Sequence, residues 1–144
     1  MYDAEERLIQ VKDEGQEIAS YQYDPLGRRI KKSANGQTTY YLYNAQGLIA
    51  ELNASGQMQR AYGWQLDGMW GTSPVWQAKV NANQNLEEAQ YHYLHSDHLG
   101  TPQVATDEQG NQTWRGVSEA FGKTTVEPGN QITMNLRFPG QYFD

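Results

Sequence analysis

The chain has 144 residues, 11 of them basic and 17 acidic, with a formal net charge of −6 and no cysteine. The acidic balance excludes a nucleic-acid binder built on a basic stripe, and the missing thiols exclude disulfides, a thiolate nucleophile and cysteine-ligated zinc. The sequence has no long apolar run and its first residues are acidic, so we expect no membrane insertion and no signal peptide.

The composition favours a folded protein of short strands. Aromatic residues make up 12% of the chain and charged residues 19%, whereas disordered chains are poor in aromatics and rich in charge. Tyrosine and tryptophan bury large ring faces while a polar tip stays near water. With 14 glycines marking frequent turns, these features predict an all-β protein.

Residues 1–65 contain three copies of one short pattern. The copies begin at Tyr2, Tyr23 and Tyr43, which are nearly equally spaced. A second turn signal falls inside each copy, at Glu14-Gly15, Asn35-Gly36 and Ser55-Gly56. Turns at this spacing, with β-forming residues between them, predict strands joined as hairpins. A lone hairpin is marginal in water, so the hairpins must pack beside one another.

The predicted strands of this half carry aromatic side chains at recurring positions. The strands are Ile18–Tyr23, Thr38–Tyr43 and Gln59–Trp64. Because side chains alternate between faces, Tyr21 and Tyr23 share one face, as do Tyr41 and Tyr43. The resulting aromatic stripe consists of Tyr21, Tyr23, Tyr41, Tyr43, Tyr62 and Trp64. A stripe at the repeat period indicates packing between repeats; the alternative is a ligand site, because exposed rings stack on sugars.

Residues 66–90 break the pattern, and we expect an irregular loop followed by a polar tip. Gly and Pro punctuate the first part, and Asn81, Asn83 and Asn85 make the second part polar. Glu87–Ala89 is long enough only for one helical turn. The interval therefore predicts a connection between two sets of hairpins within one continuous β domain.

Residues 91–144 resume the rhythm of strands and turns. The predicted strands are Tyr91–His95, Gln103–Thr106 and Gln112–Val117. Asp97 and Asp107 open the turns that follow the first two of them. The tail Leu136–Asp144 is typical of a further strand that is cut off abruptly, which indicates either a fragment of a longer chain or a truncated gene product.

His92, His95, His98 and Asp97 form the one cluster whose residue types suggest chemistry. Imidazoles and a carboxylate can bind zinc, or a His–Asp pair can orient a base. Alternation places His92 and His95 on opposite faces of their strand, and Asp97 in a turn is expected to cap backbone N–H groups. The pattern favours a structural role for all four residues, with metal binding or catalysis as the alternative. No cofactor is expected.

Three segments resemble the RHS (rearrangement hot spot) family. The segment from Tyr93 to Pro102 is similar to that family's most recognisable stretch, near the C-terminal end of its core. Leu136–Asp144 resembles the stretch just beyond it. The family's YD repeat is matched by Tyr23, Asp24, Gly27 and Arg28. The three segments occur in the family's order and the resemblance extends over nearly the whole chain, which is identified as the C-terminal part of an RHS core.

The resemblance implies an antiparallel meander of YD-repeat hairpins that forms an open segment of an RHS-type β-shell. Bacterial members use such a shell to enclose or carry a C-terminal toxin, in interbacterial competition or in insecticidal complexes. Many members have a self-cleaving region with an Asp-Pro-x-Gly-Leu motif after the core, and this chain is expected to end before it. Asp24-Pro25-Leu26-Gly27-Arg28 lacks the final leucine, so protease activity is not carried over to it.

The expected function is a non-enzymatic structural segment of a toxin shell. The expected partners are the remainder of the shell and the toxin cargo, and the parent protein would be secreted or lie at the cell surface. Unpaired strand edges predict self-association of the isolated chain. Two alternatives stay open: a module that binds a glycan or a protein through the aromatic stripe, and a metal-dependent enzyme centred on the histidines.

Overall fold

The computed structural model describes residues 1–66, 73–119, 123–137 and 141–143. These residues form one open antiparallel sheet, in which eleven strands pair in the order in which they follow along the chain. The predicted all-β meander of hairpins is confirmed. Within the described ranges, no helix is both long and apolar enough to cross a membrane.

The strands that the sequence predicts with bounds, three in each half of the chain, lie within two residues of those bounds. The strands are β1 (Gln10–Asp13), β2 (Gln16–Tyr23), β3 (Arg29–Ala34), β4 (Gln37–Tyr43), β5 (Leu48–Leu52), β6 (Met58–Trp64), β7 (Pro74–Lys79), β8 (Gln90–Ser96), β9 (Pro102–Thr106), β10 (Gln112–Ser118) and β11 (Thr124–Val126). A 3-10 turn, Leu86–Glu88, lies between β7 and β8. Its first N–H groups are capped by the side chain of Asn85, so the short helical turn expected here is present.

One turn geometry recurs between the strands. It begins with Asp or Asn, whose side-chain oxygen accepts the backbone N–H groups two and four positions later; from Asp24 both distances are 2.9 Å. The fourth residue has a positive φ, which Gly27 adopts at 78° without the steric cost of a Cβ. Among the described residues, this carboxylate or amide cage begins at Asp3, Asp24, Asn53, Asp97 and Asp107. Local hydrogen bonds therefore set these corners of the sheet.

The two faces of the sheet differ in how they are covered. Tyr41, Glu51, Arg60 and Lys79 are successive cross-strand partners from β4 to β7, so their side chains lie on one face. We call it the covered face, because the main hydrophobic core lies on it. That core consists of Tyr41, Leu48, Tyr62, Leu94, Ala105, Trp114, Met134 and Leu136. Leu42, which points to the opposite face, stays 44% exposed.

The C-terminal part of the chain lies over this face. We call its described residues, 130–137 and 141–143, the cover segment. The N–H of Gln131 donates to the carbonyl of Thr113 in β10. Farther along, the carbonyl of Thr133 accepts a 3.0 Å hydrogen bond from the side chain of Gln77 in β7. The cover segment therefore crosses the strands and does not run along one of them.

The prediction of a further strand in Leu136–Asp144 is wrong for the described residues. Leu136 and Tyr142 form only an isolated bridge with each other. The physical reason is the aromatic covered face, which must be shielded from water. Met134 and Leu136 are both buried against it, at 1% and 5% exposure. Residues 138–140 and 144 lie outside the described part of the chain.

Residues 74–79 differ from the expected irregular loop, because they form β7, which pairs with β6 and β8. Gly63 makes room for this strand: a Cβ there would lie 2.0 Å from Nε1 of Trp76, so a larger residue would displace the indole. On the covered face Gln77 is 1% exposed, and this buried amide hides the polar–apolar alternation typical of a strand. Residues 81–88 are exposed, and residues 67–72 lie outside the described part.

Candidate functional site

We call two strands that are joined by a turn beginning at the Asp or Asn of the repeat, such as β2 and β3, one hairpin. An aspartate and an arginine in that turn and a tyrosine in the strand that follows link each of the first hairpins to the next. In the cage that begins at Asp24, the second carboxylate oxygen accepts a 2.7 Å hydrogen bond from Nε of Arg28. The Arg28 guanidinium carbon lies 5.1 Å from the ring centre of Tyr43 in β4. The Tyr43 hydroxyl donates to the carbonyl of Arg29 at 3.0 Å. The Tyr-Asp-x-x-Gly-Arg pattern is thus a device that joins neighbouring hairpins by a cation–π contact and a hydrogen bond.

The preceding copy of the pattern has the same geometry. Asp3 accepts a 2.8 Å hydrogen bond from Nε of Arg7. The Arg7 guanidinium lies 5.1 Å from the ring centre of Tyr23. The Tyr23 hydroxyl donates to the carbonyl of Leu8 at 2.8 Å. Two successive repeats therefore bury the same contact in the same way, which is what a stacked repeat requires.

The third copy has different residues and still links its hairpin to the next strand. Its turn begins at Asn44 and has no arginine, and Trp64 stands where the next tyrosine would be. The indole Nε1 donates to the carbonyl of Leu48 at 2.8 Å. The ring packs against Gly47, where a Cβ would lie 3.1 Å from the indole. An aromatic polar tip thus bonds to the previous hairpin in each of the three copies.

The structure places the six residues of the aromatic stripe at the joints between hairpins. Tyr41 and Tyr62 are 4% and 3% exposed and belong to the core, while Tyr21, Tyr23, Tyr43 and Trp64 are partly buried. The Arg29 guanidinium lies 5.6 Å from the ring centre of Tyr21 and 5.0 Å from that of Tyr41. The two buried rings have no open face for a sugar, and the partly buried rings contact arginines or bond to neighbouring strands, so the geometry favours packing between repeats. A ligand role for the stripe stays a hypothesis.

A buried carboxylate lies at the centre of the covered face. Glu51 in β5 is 2% exposed. Its Oε1 accepts hydrogen bonds from the hydroxyls of Tyr62, at 2.5 Å, and Tyr142, at 2.8 Å. Its Oε2 accepts a 2.8 Å hydrogen bond from Arg60. The side chain of Asn135 donates to the Tyr142 hydroxyl at 2.7 Å, so two residues of the cover segment take part.

The electrostatics of this cluster keep its two phenols protonated, so that each donates a hydrogen bond to Glu51 and does not ionise. Burial and the nearby charge of Glu51 raise the pKa of Tyr62 well above its usual value, and the same causes raise the pKa of Tyr142. Burial acts to lower the pKa of Arg60, but the charge of Glu51, the nearby phenols of Tyr62 and Tyr142 and the hydrogen bond to Glu51 together outweigh it, so that pKa is raised. The cluster therefore fastens the cover segment to β5. The sequence analysis did not predict this cluster. The signal that could have indicated it is the single acidic residue in the otherwise apolar run Leu48–Leu52.

The structure does not bring the histidine cluster together. His92 is fully buried, and its Nδ1 lies 2.9 Å from Oγ1 of Thr113. His95 is exposed, with Nε2 at 3.0 Å from Oγ1 of Thr106. In residues 1–66, 73–119, 123–137 and 141–143, no three His, Asp or Glu side chains are grouped as metal ligands.

The other two members of the cluster lie in the turn between β8 and β9. Asp97 accepts hydrogen bonds from the N–H groups of Leu99 and Thr101, at 2.9 and 3.0 Å. His98 is exposed within the same turn. The carboxylate is thus occupied by backbone donors, as expected of a capping residue. A metal or catalytic role for the four residues stays a hypothesis.

Two family models match the chain. The model described as RHS Repeat matches residues 2–38, and the model described as RHS protein matches residues 92–128. Each matched segment contains two of the cages described above. The cages begin at Asp3 and Asp24 in the first segment and at Asp97 and Asp107 in the second.

Several bacterial toxins are similar in sequence. The chain is 30% identical over 171 residues to the double-stranded DNA deaminase toxin A of Burkholderia cenocepacia (strain H111), covering 99% of this chain and 12% of that protein. It is 27% identical over 150 residues to the tRNA3(Ser)-specific nuclease WapA of Bacillus spizizenii, covering 99% and 6%. It is 43% identical over 61 residues to the toxin protein Tse5 of Pseudomonas aeruginosa, covering 41% and 4%. The chain thus spans only a small part of the length of these relatives.

Solved toxin structures contain the same fold. The Tc holotoxin pore of Photorhabdus luminescens matches with a TM-score of 0.66 and 18% identity, covering 100% of this chain and 8% of that chain. The crystal structure of TcdB2-TccC3-TEV matches with a TM-score of 0.63 and 18% identity, again covering 100% of this chain and 8% of that chain. At this identity the likeness concerns the path of the backbone alone.

Proposed function

Because the chain belongs to the RHS repeat family, we propose that it is a structural segment of the wall of a toxin shell. The wall would enclose or carry a C-terminal toxin. The observation that carries this proposal is the joint between hairpins, in which Arg28 of one turn lies over Tyr43 of the next strand. A joint of this kind depends only on the neighbouring copy, so it supports a sheet of any length.

The open edges of the sheet fit the same role. β1 and β11 are the outermost strands, and each has one paired edge within the described sheet. An exposed edge is a template for another strand. In the proposed shell, the neighbouring hairpins of the parent protein would occupy both edges. The remainder of the shell is therefore the first partner, and the enclosed toxin is the second.

The proposed role is structural and not enzymatic. The deaminase and nuclease activities in the names of the relatives belong to proteins of which this chain matches 12% and 6%. The residue types that suggested chemistry are engaged in other contacts: Asp97 caps a turn, and His92 is buried beside Thr113. Service in interbacterial competition or in an insecticidal complex, with a secreted or surface-bound parent, is part of this proposal.

Electron cryo-microscopy of the full-length product of the encoding gene tests the proposal. We expect a hollow particle in which these strands continue into further strands at β1 and at β11, with density for a toxin inside. A reading frame that holds this chain alone, or strands found in a separate globule outside the particle wall, would contradict the shell role.

A further inference from the structure

A polar groove lies on the covered face beside the cover segment. It has a volume of ≈ 780 Å³. Its floor is formed by side chains of β5, β6 and β7, and its rim by the turns after β3, β5 and β7. Residues 131–133 of the cover segment form one wall. The hairpin joints and the Glu51 cluster leave this space unexplained.

The charges in the groove favour an anionic group. Glu51, Arg60 and Lys79 are cross-strand neighbours that line it. The carboxylate of Glu51 is neutralised by Arg60 at 2.8 Å. Lys79 is exposed, and it has no ion-pair partner among the described residues. The groove is therefore locally positive in a chain whose net charge is −6, so a carboxylate would be attracted to it.

The groove also contains a buried acceptor that lacks a donor. Gln77 is 1% exposed, and its Nε2 donates to the carbonyl of Thr133. No hydrogen-bond partner for its Oε1 is found in the part of the chain that the structure describes. A buried polar atom without a partner is costly, and a ligand that brings an N–H group would satisfy it.

The remaining lining matches the hydrogen-bonding groups of a polypeptide backbone. Amide and hydroxyl side chains both donate and accept, as peptide groups do. They include Gln37, Thr39, Gln57, Gln59 and Gln131. None of the described residues that line the groove is aromatic, so it lacks the ring platform on which sugars stack.

We propose that this groove binds an extended polypeptide segment that carries a carboxylate side chain. The carboxylate lies against Lys79 beside the Glu51–Arg60 pair, and a backbone N–H of the segment approaches Oε1 of Gln77. The proposal does not depend on the shell role, because the groove is formed within the 144-residue chain itself.

Fluorescence anisotropy of the full 144-residue chain with labelled peptides tests the proposal. A fluorescein-labelled peptide of alternating Asp and Thr is expected to bind, and a peptide of alternating Lys and Thr is not. Lys79→Glu is expected to lower the affinity for the Asp–Thr peptide by about tenfold, because it reverses the charge that the peptide carboxylate meets. Lys12→Glu, at an exposed position in β1 far from the groove, is the matched control and should leave the affinity unchanged.

Near-isosteric Gln77→Met separates a site in the groove from general attraction to lysines. It removes the buried acceptor, together with the amide group that donates to the Thr133 carbonyl, while keeping the volume of the side chain. It should therefore also weaken binding of the Asp–Thr peptide, with circular dichroism showing an intact sheet. The proposal would be overturned if both peptides bound equally, or if the Asp–Thr peptide did not bind. It would also be overturned if Lys79→Glu and Lys12→Glu lost affinity equally, or if the protein preferred maltohexaose to the peptide. The shell role would stand in all of these cases.

Discussion

The hydroxyl of Tyr142 donates a 2.8 Å hydrogen bond to a carboxylate oxygen of Glu51, which lies 91 residues earlier in the chain. Tyr62 donates to the same oxygen from β6. One buried carboxylate therefore holds two phenols, one from the sheet and one from the cover segment. The contact ties the last described residues to the middle of the sheet, and it makes the cover part of the same cooperative unit.

Tyr142→Phe is expected to lower the free energy of unfolding by about 1.5–3 kcal/mol, the usual range for a hydrogen bond to a charged group. The ring itself should stay in place, because its edge packs against Tyr41 at 5.5 Å between ring centres. Urea denaturation followed by tryptophan fluorescence measures the change. Tyr93→Phe, at an exposed position in β8, is the matched control and should change stability by less than about 0.5 kcal/mol. Equal effects of the two substitutions would contradict the role of the Glu51 contact.

Gly63→Ala is expected to destabilise the fold by about 1–3 kcal/mol, because the new methyl group would meet the indole of Trp76. Displacing that ring also disturbs its contact with Tyr91, at 5.2 Å between ring centres. Thermal unfolding measures the loss. In a Trp76→Ala background the same glycine substitution should cost far less, because the clash is gone. Additive costs in the double variant would mean that the close approach is not the cause.

Acidification below about pH 6.5 is expected to destabilise the protein through His92. Burial lowers the pKa of His92; the charge of Asp107 opposes this effect and that of Lys79 adds to it. The folded pKa therefore lies below the unfolded one, so the unfolded chain takes up the proton first as the pH falls. The stabilisation from keeping His92 neutral is therefore fully present at a pH above the pKa of the unfolded chain. It is lost as the pH falls toward the lower pKa of the folded chain.

Urea denaturation between about pH 7 and pH 5 measures this dependence. His92→Gln should flatten the curve in that range, whatever its effect on stability at neutral pH. A slope that survives in His92→Gln would place the titrating group elsewhere.

The isolated chain is expected to self-associate through its strand edges, and Val126→Lys should weaken that association. Val126 lies in the outermost strand β11 and is 44% exposed, so a lysine there adds a charge to the edge without disturbing the core. Sedimentation velocity over a range of concentrations measures the effect. Val117→Lys, which adds the same charge in the interior strand β10, is the control. A monomer at all concentrations, or equal effects of the two lysines, would speak against edge pairing.

Much of the sheet follows from local chemistry that can be read residue by residue. Asn35-Gly36 predicts a tight hairpin, and both residues adopt positive φ, at 52° and 74°. Asp24 and Gly27 predict the corner that the carboxylate cage closes. Tyr43 was placed in a stripe that packs between repeats, which is where its hydroxyl bonds to the previous hairpin. These features succeed because each depends on a few neighbouring residues.

The features that sequence reasoning missed depend on partners that are distant in the chain. β7 is a strand because Gly63 admits Trp76 and because Gln77 finds the cover segment. Neither contact can be predicted from the order of polar and apolar residues within 74–79. Leu136 and Tyr142 alternate like strand residues, yet they fold over a face of the sheet, because that face is aromatic and needs shielding.

The amino-acid order by itself determined the hairpins and their corners, since turns and alternation act over distances of a few residues. Which face would be covered, and by what, was decided only when the whole chain came together. A buried charge such as that of Glu51 is tolerated only where donors converge on it. Arg60 and Tyr62 reach it from β6, and Tyr142 reaches it from the cover segment, which is distant in the chain.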